Sequence, residues 1–134
     1  MIELTSIYIA GVTTILVGVL HTQFYKLFRW GRDFKRISLI NNKIIYTIHI
    51  ALLLFCFLTG SLTIFYAEEL AKGRGLSFGF VLSLSLFWIW RLIWQFYYFR
   101  FERKEKTIGY EFVFILLFFI LALSYTLPLV SFLK

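Results

Sequence analysis

Residues 87–98 read FWIWRLIWQFYY. The stretch is apolar and aromatic apart from one arginine, Arg91, and one amide, Gln95, and it lies inside a longer apolar segment over 76–99. About 20 such residues in helical form cross the hydrocarbon core of a bilayer. An arginine placed centrally in a spanning helix costs roughly 3 kcal/mol on insertion scales, and more when isolated. Nine residues separate Arg91 from Arg100, which puts it about 13 Å inside at 1.5 Å per residue. That depth is long for a side chain reaching back to water. The charge therefore calls for answering groups on other parts of the chain.

Outward from this stretch, three further apolar segments cover 2–28, 44–66 and 108–133. In lipid only helices and closed barrels satisfy the backbone, and these runs lack the alternation and shortness of barrel strands. The expected fold is an all-α integral membrane four-helix bundle. It is a single domain over 1–134 in antiparallel up-down order, since no linker, repeat or low-complexity tract divides it. Hydrophobic residues make up 60% of the 134 and aromatic residues 22%, outside the range of soluble domains. Pro128 is expected to loosen the last turns of the fourth helix.

The net charge of +7 could suit nucleic acid, but the cations sit in short blocks between apolar runs. That is the pattern of membrane flanks facing anionic headgroups, so the expected partner is the lipid bilayer and not nucleic acid. Ten cations flank the first and third connections: Lys26, Arg29, Arg32, Lys35, Arg36, Lys43, Arg100, Arg103, Lys104 and Lys106. Three lie on the other side, Lys72, Arg74 and Lys134, with Glu68 and Glu69 offsetting two of them. The bias puts the first and third connections in the cytoplasm and both termini on the non-cytoplasmic side. The N-terminal MIELTSIYIAG has no basic start and no small-residue cleavage pattern, so a retained first helix is expected. The first connection mixes Phe28, Trp30 and Phe34 with cations, which suits an aromatic anchor at the interface. Gly73 and Gly75 suit a tight outer turn. One cysteine, Cys56, excludes an internal disulfide and a CxxC metal site.

Spacing then gathers the polar groups. His21 and His49 lie fourteen residues either side of Lys35, so a helical hairpin puts them at similar depth. His21 shares a stripe with Gly11, Thr14 and Gly18, and His49 with Cys56, Gly60 and Thr63. Small residues mark faces where membrane helices pack closely. Glu111, early in the fourth helix, is the nearest carboxylate in level to Arg91, offset by about 9 Å along the axis when counted from a turn at Lys104. Gln95 is one turn from Arg91 on the same face. The candidate ligand-binding cluster is thus His21, His49, Arg91, Gln95 and Glu111, with Trp94 and Tyr98 able to line it. Trp and Tyr equally furnish an interfacial belt. A two-histidine metal site with Glu111 lacks any HExxH-type spacing.

Some stretches carry a resemblance. WGRDF over 30–34, an N-x-x-I-x-Y-x-x-H pattern ending at His49, and Leu86-Phe87-Trp88-x-x-Arg91-Leu92-x-x-Gln95-Phe96 occur in order. In these the chain resembles a family of small four-helix bacterial inner-membrane proteins to which no activity is attached. The resemblance implies that His49, Trp88, Arg91 and Gln95 belong to a shared pattern. The chain departs from it after Gln95-Phe96, where Tyr98 and Arg100 stand in place of a frequent Asp.

The functional expectation is a small multi-pass protein of the bacterial inner membrane. It is either a ligand-binding component or an accessory subunit, with other membrane subunits as partners and no catalytic residue assigned. The alternative is a redox-linked subunit holding quinone, or haem b with His21 and His49 as axial ligands. Adjacent helices 8–10 Å apart are tight for a porphyrin between facing imidazoles. Ion conduction is disfavoured by aromatic bulk and the lack of a ring of like charges.

Overall fold

The computed structural model describes residues 1–98 and 108–132. The end of the third segment at 99, the cationic turn with Arg100, Arg103, Lys104 and Lys106, and residue 133 lie outside the described residues. All regular structure among those described is helical: α1 (Ile2–His21), α2 (Phe24–Leu27), α3 (Trp30–Asp33), a 3₁₀ turn (Phe34–Arg36), α4 (Leu39–Phe65), α5 (Ala67–Leu70), α6 (Leu76–Tyr97) and α7 (Ile108–Phe132). Four of these, α1, α4, α6 and α7, are long and apolar enough to cross a membrane.

The first span is shorter and the second longer than composition alone suggested. α1 stops at His21, where Thr22 turns its hydroxyl back onto the Val19 carbonyl at 2.6 Å. The apolar run to Phe28 continues as the separate short α2, and the left-handed backbone of Arg29, φ 53°, divides α2 from α3. α4 begins at Leu39, five residues before Ile44, because Ser38 adopts an extended backbone and its hydroxyl accepts the Asn41 N–H at 3.3 Å. That is an N-cap. Gly73 (φ 62°) and Gly75 (φ 53°) both take the left-handed region between α5 and α6, which glycine enters without steric cost.

The inner helices are α1 and α7. An 18-residue stretch of each is 44% and 50% buried, against 17% for α4 and 28% for α6, which flank them. Contacts place neighbours in opposite directions. Ser6 meets Ser124 while His21 meets Phe114, and Gly11 meets Gly60 while His21 meets His49. Ser85 meets Thr126 while Trp88 meets Phe118. The outer faces carry exposed Ile48, Leu54, Leu58 and Leu62 on α4 and Leu86 and Ile93 on α6. In water such faces would be a liability, whereas in lipid they are the solvent-matched surface.

Glycine sets the closest approach. A Cβ at Gly60 would lie 2.7 Å from Ile15 Cγ1 and 3.0 Å from the Gly11 carbonyl oxygen, and one at Gly11 would lie 2.6 Å from Ile64 Cγ1. Lipid tails are as apolar as leucine, so membrane helices gain from contact this intimate and not from burial itself. Farther along, Tyr125 is fully buried and ties three helices together. The hydroxyls of Thr14 and Thr63 donate to their own i−4 carbonyls, Ala10 at 2.8 Å and Thr59 at 2.7 Å. Each proton being spent, both oxygens can only accept, so Tyr125 Oη donates, with Thr63 at 2.9 Å the nearer acceptor and Thr14 at 3.4 Å.

Pro128 sits inside α7. It has no N–H, so the carbonyl four residues back, at Ser124, loses its helical donor. Ser6 of α1 supplies one, its Oγ donating to Ser124 O at 2.7 Å with both residues buried. A neighbouring hydroxyl thus repairs the proline's defect, as spanning helices require. Ser6→Ala is expected to cost about 1–2 kcal/mol by leaving that carbonyl bare. Pro128→Ala should remove most of that cost by restoring the helical N–H. A double-mutant cycle on reversible unfolding in mixed detergent measures the coupling. Additive losses would show that the two features are independent.

Candidate functional site

Two polar groups of residues occupy the half of the bundle that carries the α1–α4 connection. They are joined by a chain of rings on α7.

The first is built on the histidines. His21, the last residue of α1, is 4% exposed. Its Nδ1 lies 2.8 Å from the Val17 carbonyl, one turn back. A carbonyl only accepts, so Nδ1 carries the proton and, in the neutral ring, Nε2 is left as a bare acceptor. His49 of α4 is half-buried, its ring centroid 6.4 Å from that of His21. Phe24, in the first turn beyond α1, lies 4.2 Å from His21 and 6.1 Å from His49, and the three rings are within about 30° of parallel. Trp30 closes on His49 edge-on at 4.9 Å, and Phe114 of α7 does the same to His21 at 5.5 Å.

The second group surrounds Phe118, which follows Phe114 at 5.8 Å on the same stripe of α7. The Arg91 guanidinium carbon lies 4.4 Å over the Phe118 ring, within cation–π range. Trp88, one turn earlier on α6, stacks on Phe118 at 5.9 Å and is 2% exposed. Its Nε1–H is buried and meets no hydrogen-bond acceptor among the described residues. Gln95, one turn beyond Arg91, is equally buried.

The stripe 88–91–95 explains which aromatic residues join the site. Trp94 and Tyr98, expected as possible lining, belong to a different stripe with Trp90. The three stack as a ladder, 5.7 Å and 4.9 Å between successive rings, and are 51%, 40% and 72% exposed in chain order. Ion pairs among the described residues include Met1–Glu3, Arg32–Asp33 and Glu69–Lys72. Glu111 lies in the first turn of α7, seven residues before Phe118, or about 10.5 Å along the helix. Arg91 sits at the level of Phe118, an axial offset from Glu111 close to the roughly 9 Å expected from the sequence.

As to cofactors, His21 Nε2 has the chemistry of a metal ligand. A porphyrin between the two imidazoles, however, would have to displace Phe24, whose ring already lies against His21. One turn above, α1 and α4 close tightly, with a Cβ at Gly18 only 3.1 Å from Cys56 Cβ. No group of three or more His, Cys, Asp or Glu side chains suited to a metal ion occurs among the described residues. The sequence reading missed Trp88 as a site residue, except through the resemblance, and Tyr125 altogether. Helical spacing from Arg91 and from Phe118 was the available signal for both.

α4 and α6, the flanking pair, meet through Phe55 and Phe87, 4.8 Å apart, and Phe87 lies edge-on to Trp88 at 5.0 Å. Those two rings therefore stand between the bilayer side of this seam and the Trp88–Arg91 site. No protein-family model, no curated protein and no solved structure matches this chain at a significant level.

Proposed function

We propose that the chain is a small multi-pass protein of the bacterial inner membrane, with both termini on the outer side, that binds a membrane-soluble molecule by an acceptor oxygen. The four apolar helices support the membrane reading, and the excess of cations on the first and third connections supports the orientation. The observation that carries the site is the buried Trp88 indole N–H without an acceptor among the described residues, stacked on the same Phe118 ring as the Arg91 guanidinium. An unsatisfied buried donor costs about 1–3 kcal/mol, so a native fold keeps one only where something else compensates. A neutral donor and a cation side by side suit a quinone carbonyl or a lipid phosphate. The Phe118 and Phe114 rings flank the head, and the Phe55–Phe87 seam gives a lateral route from the bilayer. His21 Nε2 is a nearby group able to accept a proton from what binds. A subunit role in a larger membrane assembly is compatible with this site, because the exposed apolar faces of α4 and α6 are free to meet either lipid or a partner.

The test is native mass spectrometry of protein extracted in mild detergent, with the bound small molecules identified after release. One quinone or one phospholipid per chain is expected, and its loss from both Trp88→Phe and Arg91→Gln. The released mass separates the two chemistries. Stoichiometric ligand that survives both substitutions, or no retained ligand in the parent protein, would overturn the site.

A further inference from the structure

The segment between α1 and α4 is a built surface and not a slack connection. Its rings pack against one another and against α4, with Tyr25 remaining 44% exposed. Phe24 meets Phe28 edge-on at 4.9 Å, Trp30 stacks on Phe34 at 5.1 Å, Phe34 packs edge-on against Tyr46 at 5.1 Å, and Trp30 closes on His49. Tyr25 lies over Gly31 so closely that a Cβ there would sit 2.9 Å from the phenol oxygen. The left-handed turn at Arg29 folds α3 back beside α2. With the rings committed to α4, the cations are all on the outside: Lys26, Arg29, Arg32, Lys35 and Arg36 are exposed. One acid, Asp33, accompanies them, and it is held by Arg32 Nε at 3.3 Å. The surface is therefore strongly cationic and fixed in shape, and it lies where two spanning helices end.

We infer that residues 24–36 form a docking platform for the phosphate headgroups of anionic phospholipids. Arg29, Lys35 and Arg36 supply charge, Arg32 is shared with Asp33, and Trp30 and Phe34 hold the platform on α4. Charge complementarity selects the occupant, since five clustered cations at a membrane boundary attract anionic lipid and are indifferent to zwitterionic lipid. Guanidinium groups also match phosphate oxygens in a two-pronged geometry. The inference rests on the membrane reading but not on the Trp88–Arg91 site. Because Trp30 touches His49, an occupied platform is held against the histidine pair.

Protein in mild detergent is titrated with phosphatidylglycerol or phosphatidylcholine, and adducts are counted by native mass spectrometry. A preference of about tenfold or more for phosphatidylglycerol is expected, falling as salt rises. The combined Arg29→Gln, Arg32→Gln, Lys35→Gln and Arg36→Gln variant should lose it. A matched variant with Arg100, Arg103, Lys104 and Lys106 all changed to Gln removes the same charge and should keep most of it. Retention of the preference in the first variant overturns the inference, as does equal loss in both. Because the Trp88→Phe protein keeps the platform, its lipid preference stays intact even if the inner site fails its own test.

Discussion

Gly60→Leu is expected to prevent α1 from docking on α4, destabilising the protein by about 3 kcal/mol, at the upper end of the overpacking range. The ground is geometric. A bare Cβ at that position already meets Ile15 Cγ1 at 2.7 Å and the Gly11 carbonyl at 3.0 Å, and a carbonyl cannot rotate aside as a side chain can. Gly11→Leu should do the same from the opposite helix. Separating the helices would also pull Thr63 away from Tyr125 and His49 away from His21, so the damage spreads beyond one contact. Gly79→Leu is the control, because nothing lies within 4 Å of a Cβ there. Unfolding in mixed detergent should show both α1–α4 variants weakened and Gly79→Leu within about 0.5 kcal/mol of the parent.

Trp88 separates packing from binding. Trp88→Ala removes a side chain that is 2% exposed, edge-on to Phe87 and stacked on Phe118, and is expected to cost about 3–5 kcal/mol. Trp88→Phe keeps an aromatic ring and deletes the N–H. As that N–H has no protein acceptor among the described residues, its loss removes no internal hydrogen bond, and the stability change should stay below about 1.5 kcal/mol. Ligand retention should nevertheless fall at least tenfold, the worth of one hydrogen bond of about 1.4 kcal/mol. A Trp88→Phe protein that binds normally would reduce Trp88 to a core residue.

Much of this was legible in the chain, and the reasons differ from residue to residue. Length and apolarity fix the four spans, because a bilayer tolerates few other solutions. The nearness of His21 and His49 follows from their equal distance to Lys35, since two helices joined by a compact connection return to the same depth. Three things were not readable. The end of α1 at His21 goes with the Thr22 hydroxyl turned back onto the Val19 carbonyl, which apolarity does not register. The pairing of Ser6 with Ser124 depends on which face of α7 meets α1, although Pro128 announces that some donor must come. The rotation of α6 decides that Trp88 and Gln95 are buried, that Arg91 lies over Phe118 and that Trp94 and Tyr98 join an exposed ladder with Trp90. Trp88 is buried while Trp90, two residues on, is exposed, so aromatic character by itself does not mark the packed face.

The most direct test of the central claim is an experimental density map of the protein crystallised from a lipidic phase. The account predicts a non-protein head with an oxygen about 3 Å from Trp88 Nε1 and in reach of the Arg91 guanidinium, its tail leaving past Phe55 and Phe87. Protein atoms closing over Trp88 Nε1, with a backbone or side-chain acceptor bonded to it, would contradict that claim.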